Sequence, residues 1–79
     1  MPAARFTPKH DLLANLLREA RRAKNLTQQD LARRLGRSQS VIAKIERQER
    51  RLDVVEFVEL MDAIGTSPES IIRKLRLEK

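Results

Sequence analysis

The chain has 79 residues, with 17 Lys or Arg against 11 Asp or Glu, a net charge of +6, one histidine and no cysteine. That length suits one domain near the lower limit for a single apolar core, and the absence of cysteine excludes a disulfide scaffold or a thiolate metal site. No apolar run approaches the roughly 20 residues that span a bilayer, so the chain reads as a cytoplasmic protein. The charge is polarised: residues 1–51 hold thirteen basic against five acidic side chains, and residues 52–79 hold four against six. A polyanion such as nucleic acid is the natural partner of the first part, although basic residues also serve as plain solubilising surface.

Residues 1–9 read as an N-terminal arm with little periodicity, containing Pro2, Phe6 and, at a helix approach, Pro8. Arg5 and Lys9 are candidates to reach phosphates or a minor groove, but simple disorder is the favoured reading of the segment. His10 has no matching ligand or nucleophile nearby and is assigned no chemistry. From Asp11 to about Ala23 the residues Leu12, Leu13, Leu16, Leu17 and Ala20 form the stripe of an amphipathic first helix. Arg18, Arg21, Arg22 and Lys24 gather at its C-terminal end, where cations suit the helix dipole. Asn25 is suited to the left-handed conformation that ends a helix.

Thr27 and Asp30 then stand three apart, the spacing of a capping box, with Leu26 and Leu31 as a hydrophobic staple. This second helix runs through Ala32 and Leu35 to Gly36. Ser38 is the expected cap of a third helix, whose Val41, Ile42 and Ile45 pack inward and leave Gln39, Ser40, Ala43, Lys44 and Arg47 outside. A small residue at Ala32 suits a close helix crossing, and both Ala32 and Gly36 are expected to tolerate added bulk poorly.

After the polar stretch Arg47–Arg51, Asp53 and Glu56 repeat the capping pattern between Leu52 and Phe57. The fourth helix is expected to bury Val54, Phe57, Val58, Met61 and Ile64, to leave Glu56, Glu59 and Asp62 solvated, and to end at Gly65. Ser67 caps and Pro68 opens a fifth helix, with an apolar face of Ile71, Ile72 and Leu75. The whole reads as an all-α, compact bundle of about five helices in one domain, residues 10–79.

In this order and spacing, and in a basic chain, the small Ala32 at the helix crossing, Gly36 four residues later in the turn, and Ile42 and Ile45 closing the angle from the following helix resemble the helix-turn-helix of the phage repressor and Cro-like (XRE) family over about residues 12–65. The likeness implies a lambda-repressor-like fold whose second and third helices form the helix-turn-helix, the third entering the DNA major groove. It places the base-contacting positions on Gln39, Ser40, Ala43 and Lys44, and phosphate contacts on Gln28, Arg37, Arg50 and Arg51. The side-chain chemistry agrees: Gln pairs bidentately with adenine, Ser with several bases, and Lys reaches guanine O6 and N7. Glu46, acidic among these, is expected to order an arginine, Arg34 or Arg50. Gln48 stands where the family often has glycine, which puts the loop geometry there in question.

The implied function is sequence-specific binding of double-stranded DNA by a homodimeric transcriptional regulator, a repressor at a palindromic operator. The length leaves no room for a sensor domain, so small stand-alone regulators are the relevant comparison. An antitoxin that binds a protein partner and autoregulates its promoter is the alternative. No enzyme, cofactor or metal site is expected, since one His, no Cys and two Gly assemble no reactive set.

Overall fold

The computed structural model describes residues 7–77 and contains five helices: α1 (Pro8–Ala23), α2 (Gln28–Leu35), α3 (Gln39–Glu46), α4 (Val54–Ile64) and α5 (Pro68–Leu77), with no strand among the described residues. Helix α1 starts three residues before Asp11. Thr7 caps it, its Oγ1 accepting the His10 N–H while His10 Nδ1 accepts the Thr7 N–H at 3.0 Å. Histidine thus closes a capping box usually closed by Glu or Gln. Arg5 and the rest of the expected arm up to residue 6 lie outside the described residues, while Lys9 sits in the first turn of α1.

The expected boxes at Thr27 with Asp30 and at Asp53 with Glu56 are both present. Ser38 differs. It occupies the cap position of α3, yet its side chain makes no cap hydrogen bond, and its Oγ lies 3.3 Å from that of Ser40. Left-handed residues follow α1 to α4: Asn25 at φ 59°, Gly36 at 67°, Gln48 at 62° and Gly65 at 91°. Gln48 therefore adopts the conformation that a glycine would take, so the loop keeps its geometry. Its side-chain amide donates to Asp11, which offsets part of the roughly 1–2 kcal/mol steric cost of that conformation. At Gly36 an added Cβ would meet nothing within 4 Å. Backbone conformation, and not close packing, is what calls for glycine there.

The core gathers Leu16 and Leu17 of α1, Leu31 and Ala32 of α2, Ile42 and Ile45 of α3, Phe57, Leu60, Met61 and Ile64 of α4, and Ile71 of α5. Helices α2 and α3 pack closely at Ala32, which is 2% exposed. Ala32→Leu is expected to overpack this crossing by about 1–3 kcal/mol. An unchanged melting midpoint would mean that the helices do not depend on a small residue there. Three faces differ from the sequence pattern. Ala43, expected outside, is 6% exposed and belongs to the packed side of α3. Val54 and Val58, expected inside, are exposed, because α4 turns Phe57, Leu60, Met61 and Ile64 to the core, spaced i, i+3, i+4 and i+7. Ile72 is half exposed, whereas Ile71 completes the core against α1 and α4.

Candidate nucleic-acid interface

Gln39 and Ser40 occupy the first turn of α3 and are exposed, with Lys44 one turn along on the same helix, also exposed. This satisfies a basic requirement for reading base edges, which the N-terminal side chains of an inserted helix approach first. Gln39 is not left to wander. Its Nε2 donates to Gln28 Oε1 at 2.6 Å, and Gln28 Nε2 donates in turn to Glu46 Oε1 at 2.9 Å. Glu46 is 4% exposed and is gripped by Arg21, whose Nε lies 2.7 Å from Oε2 and whose Nη2 lies 3.0 Å from Oε1.

Arg21 is itself buried, and its Nη1 also donates to the Leu26 carbonyl at 2.7 Å, tying the end of α1 to the approach of α2. Arg18 donates to the Glu46 backbone carbonyl at 2.7 Å, satisfying the end of α3. A line of hydrogen bonds therefore runs from the buried pair through Gln28 to Gln39. The arginine ordered by Glu46 is Arg21, in place of Arg34 or Arg50. Arg34 instead donates to the Ala63 carbonyl at 2.8 Å, and Arg50 pairs with Glu56.

The expected phosphate group is only partly assembled. Glu56 receives both Arg50 nitrogens, Nη1 at 3.1 Å and Nη2 at 2.7 Å, with Arg37 Nη1 at 3.6 Å. Glu56 is thus a half-buried anchor between the turn after α2 and the loop after α3, not the solvated residue that its helical position suggests. It leaves two cations held by one anion. Arg51 is exposed in the loop beside them. Gln28 has both ends of its amide engaged within the protein, so its side chain positions Gln39 first and offers a phosphate at most its second amide hydrogen and the backbone N–H of the α2 N-terminus.

A helix-turn-helix family model matches residues 17–71, spanning all of this constellation. The fold is similar to that of an XRE-family like protein from Pseudomonas syringae pv. tomato str. DC3000, with 48% identity, a TM-score of 0.82, and coverage of 86% of this chain and 83% of that one. The chain belongs to the XRE family of helix-turn-helix proteins. The fold alone is also shared with a point mutant of the restriction-modification controller protein C.Esp1396I, at 23% identity and TM-score 0.79, covering 89% of this chain and 91% of that one. A hypothetical transcription factor, NHTF, from Neisseria has 20% identity and TM-score 0.75, covering 99% of this chain and 98% of that one. Comparison with curated protein sequences finds no match.

As a member of that family the chain is a DNA-binding regulator, and the electrostatics of the XRE domain suit the task. Burial alone would raise the Glu46 carboxyl, but hydrogen bonds from Arg21 and Gln28 and the charges of Arg21 and Arg18 outweigh it and hold the group below its ordinary value, hence ionised. The hydrogen bonds from Arg50 hold Glu56 low, and the same contact raises Arg50. Asp30 is held low by the Thr27 backbone and hydroxyl in the cap of α2. No group of His, Asp or Glu capable of holding a metal ion occurs among the described residues, and no described helix is long and apolar enough to cross a membrane.

Sequence reasoning missed Arg21 as part of the site, although a signal was available. Arg21 follows Ala14 by seven residues and Leu17 by four, which puts it on the inward stripe of α1. An arginine there requires a buried anion, and Glu46, on the inward stripe of α3 with Ile42 and Ile45, supplies it. Ala43, by contrast, has little surface left to offer a thymine methyl.

Proposed function

We propose that this XRE domain binds double-stranded DNA in a sequence-specific manner as a homodimer and regulates transcription, as a repressor at a palindromic operator in the cytoplasm. Gln39, Ser40 and Lys44 read base edges from α3, and Arg37, Arg50, Arg51 and the start of α2 at Gln28 hold the phosphates on either side. The observation that carries this reading is the fixed pose of Gln39, hydrogen-bonded to Gln28 and through it to the buried Glu46 with Arg21. One amide hydrogen of Gln39 is spent on Gln28. Its other hydrogen and its oxygen still suffice for a bidentate pair with adenine N7 and N6. A side chain held in this way loses less rotamer entropy on meeting a base than a free one.

Selection of bound duplexes from a random pool tests the proposal. The expected result is an enriched inverted repeat whose half-sites lie about 10 base pairs apart, centre to centre, since equivalent helices of a two-fold dimer meet the same groove one duplex turn apart. A pool that remains random after repeated rounds would contradict specific reading. Enrichment of a single unrepeated site, bound by one chain, would contradict the dimer.

A further inference from the structure

Two of the cations that flank α3 share one carboxylate. Arg37 stands in the turn between α2 and α3, Arg50 in the loop between α3 and α4, and both meet Glu56 in the first turn of α4. Arg50 grips it with Nη1 at 3.1 Å from Oε1 and Nη2 at 2.7 Å from Oε2, and Arg37 Nη1 lies 3.6 Å from the same Oε2. Arg50 Nη1 also donates to the Arg51 carbonyl at 3.5 Å. One of the edges on which the Arg50 fork can take a phosphate bidentately is therefore occupied from within the protein. Glu56 cannot follow an arginine outward. Its Oε1 accepts the Asp53 N–H at 3.4 Å, and its own N–H donates to Asp53 Oδ1 at 2.8 Å, so the residue is fixed in the cap of α4.

We propose that Glu56 is a charge brake on DNA binding, competing with DNA phosphates for Arg37 and Arg50 and so setting the strength of the sequence-independent grip. The proposal rests on the assignment of these two arginines to phosphates above. A phosphate drawn to either guanidinium meets the carboxylate on its far side, and the like charges repel across the width of one side-chain group. Displacing Glu56 instead leaves a half-buried carboxylate without its two cations, which offsets much of what the phosphate contributes. Either way the three side chains act on the duplex with a net charge of +1 in place of +2, about one cation fewer per chain. Glu56 is ionised in this state, since the Arg50 hydrogen bonds hold its carboxyl below its ordinary value.

The effect falls on phosphates alone. Glu56 lies on α4, whereas the proposed base contacts of Gln39, Ser40 and Lys44 come from α3. The exposed pairs Arg33 with Asp30 and Arg47 with Glu49 involve no arginine assigned to phosphate. A domain of charge +6 is drawn to any duplex, and a carboxylate set among its phosphate-contacting cations weakens that hold on specific and random DNA alike. A carboxylate whose only task was to tie α4 to the two loops would hold the arginines in place for DNA, and its loss would weaken binding.

Titration of variants on the selected duplex and on a scrambled one, at several salt concentrations, tests the brake. Glu56→Gln keeps the size of the side chain and is a residue type that closes capping boxes. It is expected to bind both duplexes at least about fivefold more tightly at about 0.1 M salt, with a slope of log affinity against log salt steeper by about one per chain, or about two for a dimer. Glu59→Gln removes the same charge from an exposed position on the same helix and should change affinity less than about twofold. In a background of Arg37→Ala with Arg50→Ala, Glu56→Gln should do no more than that control. Glu56→Asp keeps the charge but withdraws the carboxylate by one methylene, and Asp30 shows that aspartate closes the equivalent box of α2. Its expected gain, at least about twofold, tests the contact even if glutamine at this position impairs folding. Unchanged or weaker binding by Glu56→Gln with unchanged helical circular dichroism would overturn the proposal. So would an equal gain from Glu59→Gln, a full gain in the double-alanine background, or Glu56→Asp no tighter than the wild type. Because scrambled DNA suffices to show the gain, failure of sequence reading, seen as equal wild-type affinity for both duplexes, leaves this result standing.

Discussion

Arg21→Ala is expected to cost about 3–5 kcal/mol of stability, because it leaves the Glu46 carboxylate buried without its main partner. In a domain of this size that is a large part of a total of roughly 5–10 kcal/mol, and it corresponds to a fall in melting midpoint of at least roughly 12 °C. Replacing both members, Arg21→Met with Glu46→Leu, removes the unpaired charge along with the pair. The double variant is therefore expected to recover most of the loss. A melting midpoint of Arg21→Ala within 2 °C of the wild type would show that the pair is not buried as described.

The pH dependence has a defined sign. The Glu46 carboxyl is held below its ordinary value of 4.5 in the folded state, so its contribution is fully present above pH 4.5 and is lost as the pH falls through the folded value. The double variant lacks that part of the acid sensitivity. It also lacks the anchor of Gln28, so a stable double variant with reduced DNA specificity would assign the pair a positioning role beyond stability.

Gln39→Ala is expected to lose about 1–3 kcal/mol in each half-site on the preferred sequence, and little on random DNA. The asymmetry follows from what the side chain does. In the proposed role it contacts a base edge, which differs between sequences, whereas phosphates are common to all. Gln28→Ala should produce a milder loss of the same kind, since it frees Gln39 from its fixed pose without removing its amide.

Much of the fold was legible because helix ends are local. Thr27 with Asp30 and Asp53 with Glu56 carry their capping chemistry within four residues, and Asn25, Gly36 and Gly65 mark left-handed turns by residue type alone. Gln48 was not legible in that way, since glutamine has no preference for the left-handed region that its loop imposes. Nor was the partner of Glu46. Arg21 lies 25 residues away, and no local rule chooses among the many arginines of the chain. Ala43 is small and apolar enough to suit either side of α3, and the valines of α4 present a second apolar stripe that periodicity cannot distinguish from the first.

In the proposed function Gln39 specifies the sequence and Arg51 positions the domain on the phosphates. The direct measurement is a titration of Gln39→Ala and Arg51→Ala on the selected duplex and on a scrambled one, at several salt concentrations. Gln39→Ala should flatten the preference at one base pair in each half-site and leave the salt slope unchanged. Arg51→Ala should weaken both duplexes alike and reduce the slope of log affinity against log salt by about one per phosphate contact, or about two for a dimer, as fewer counterions are released. An unchanged ratio of specific to scrambled affinity in Gln39→Ala would contradict the account.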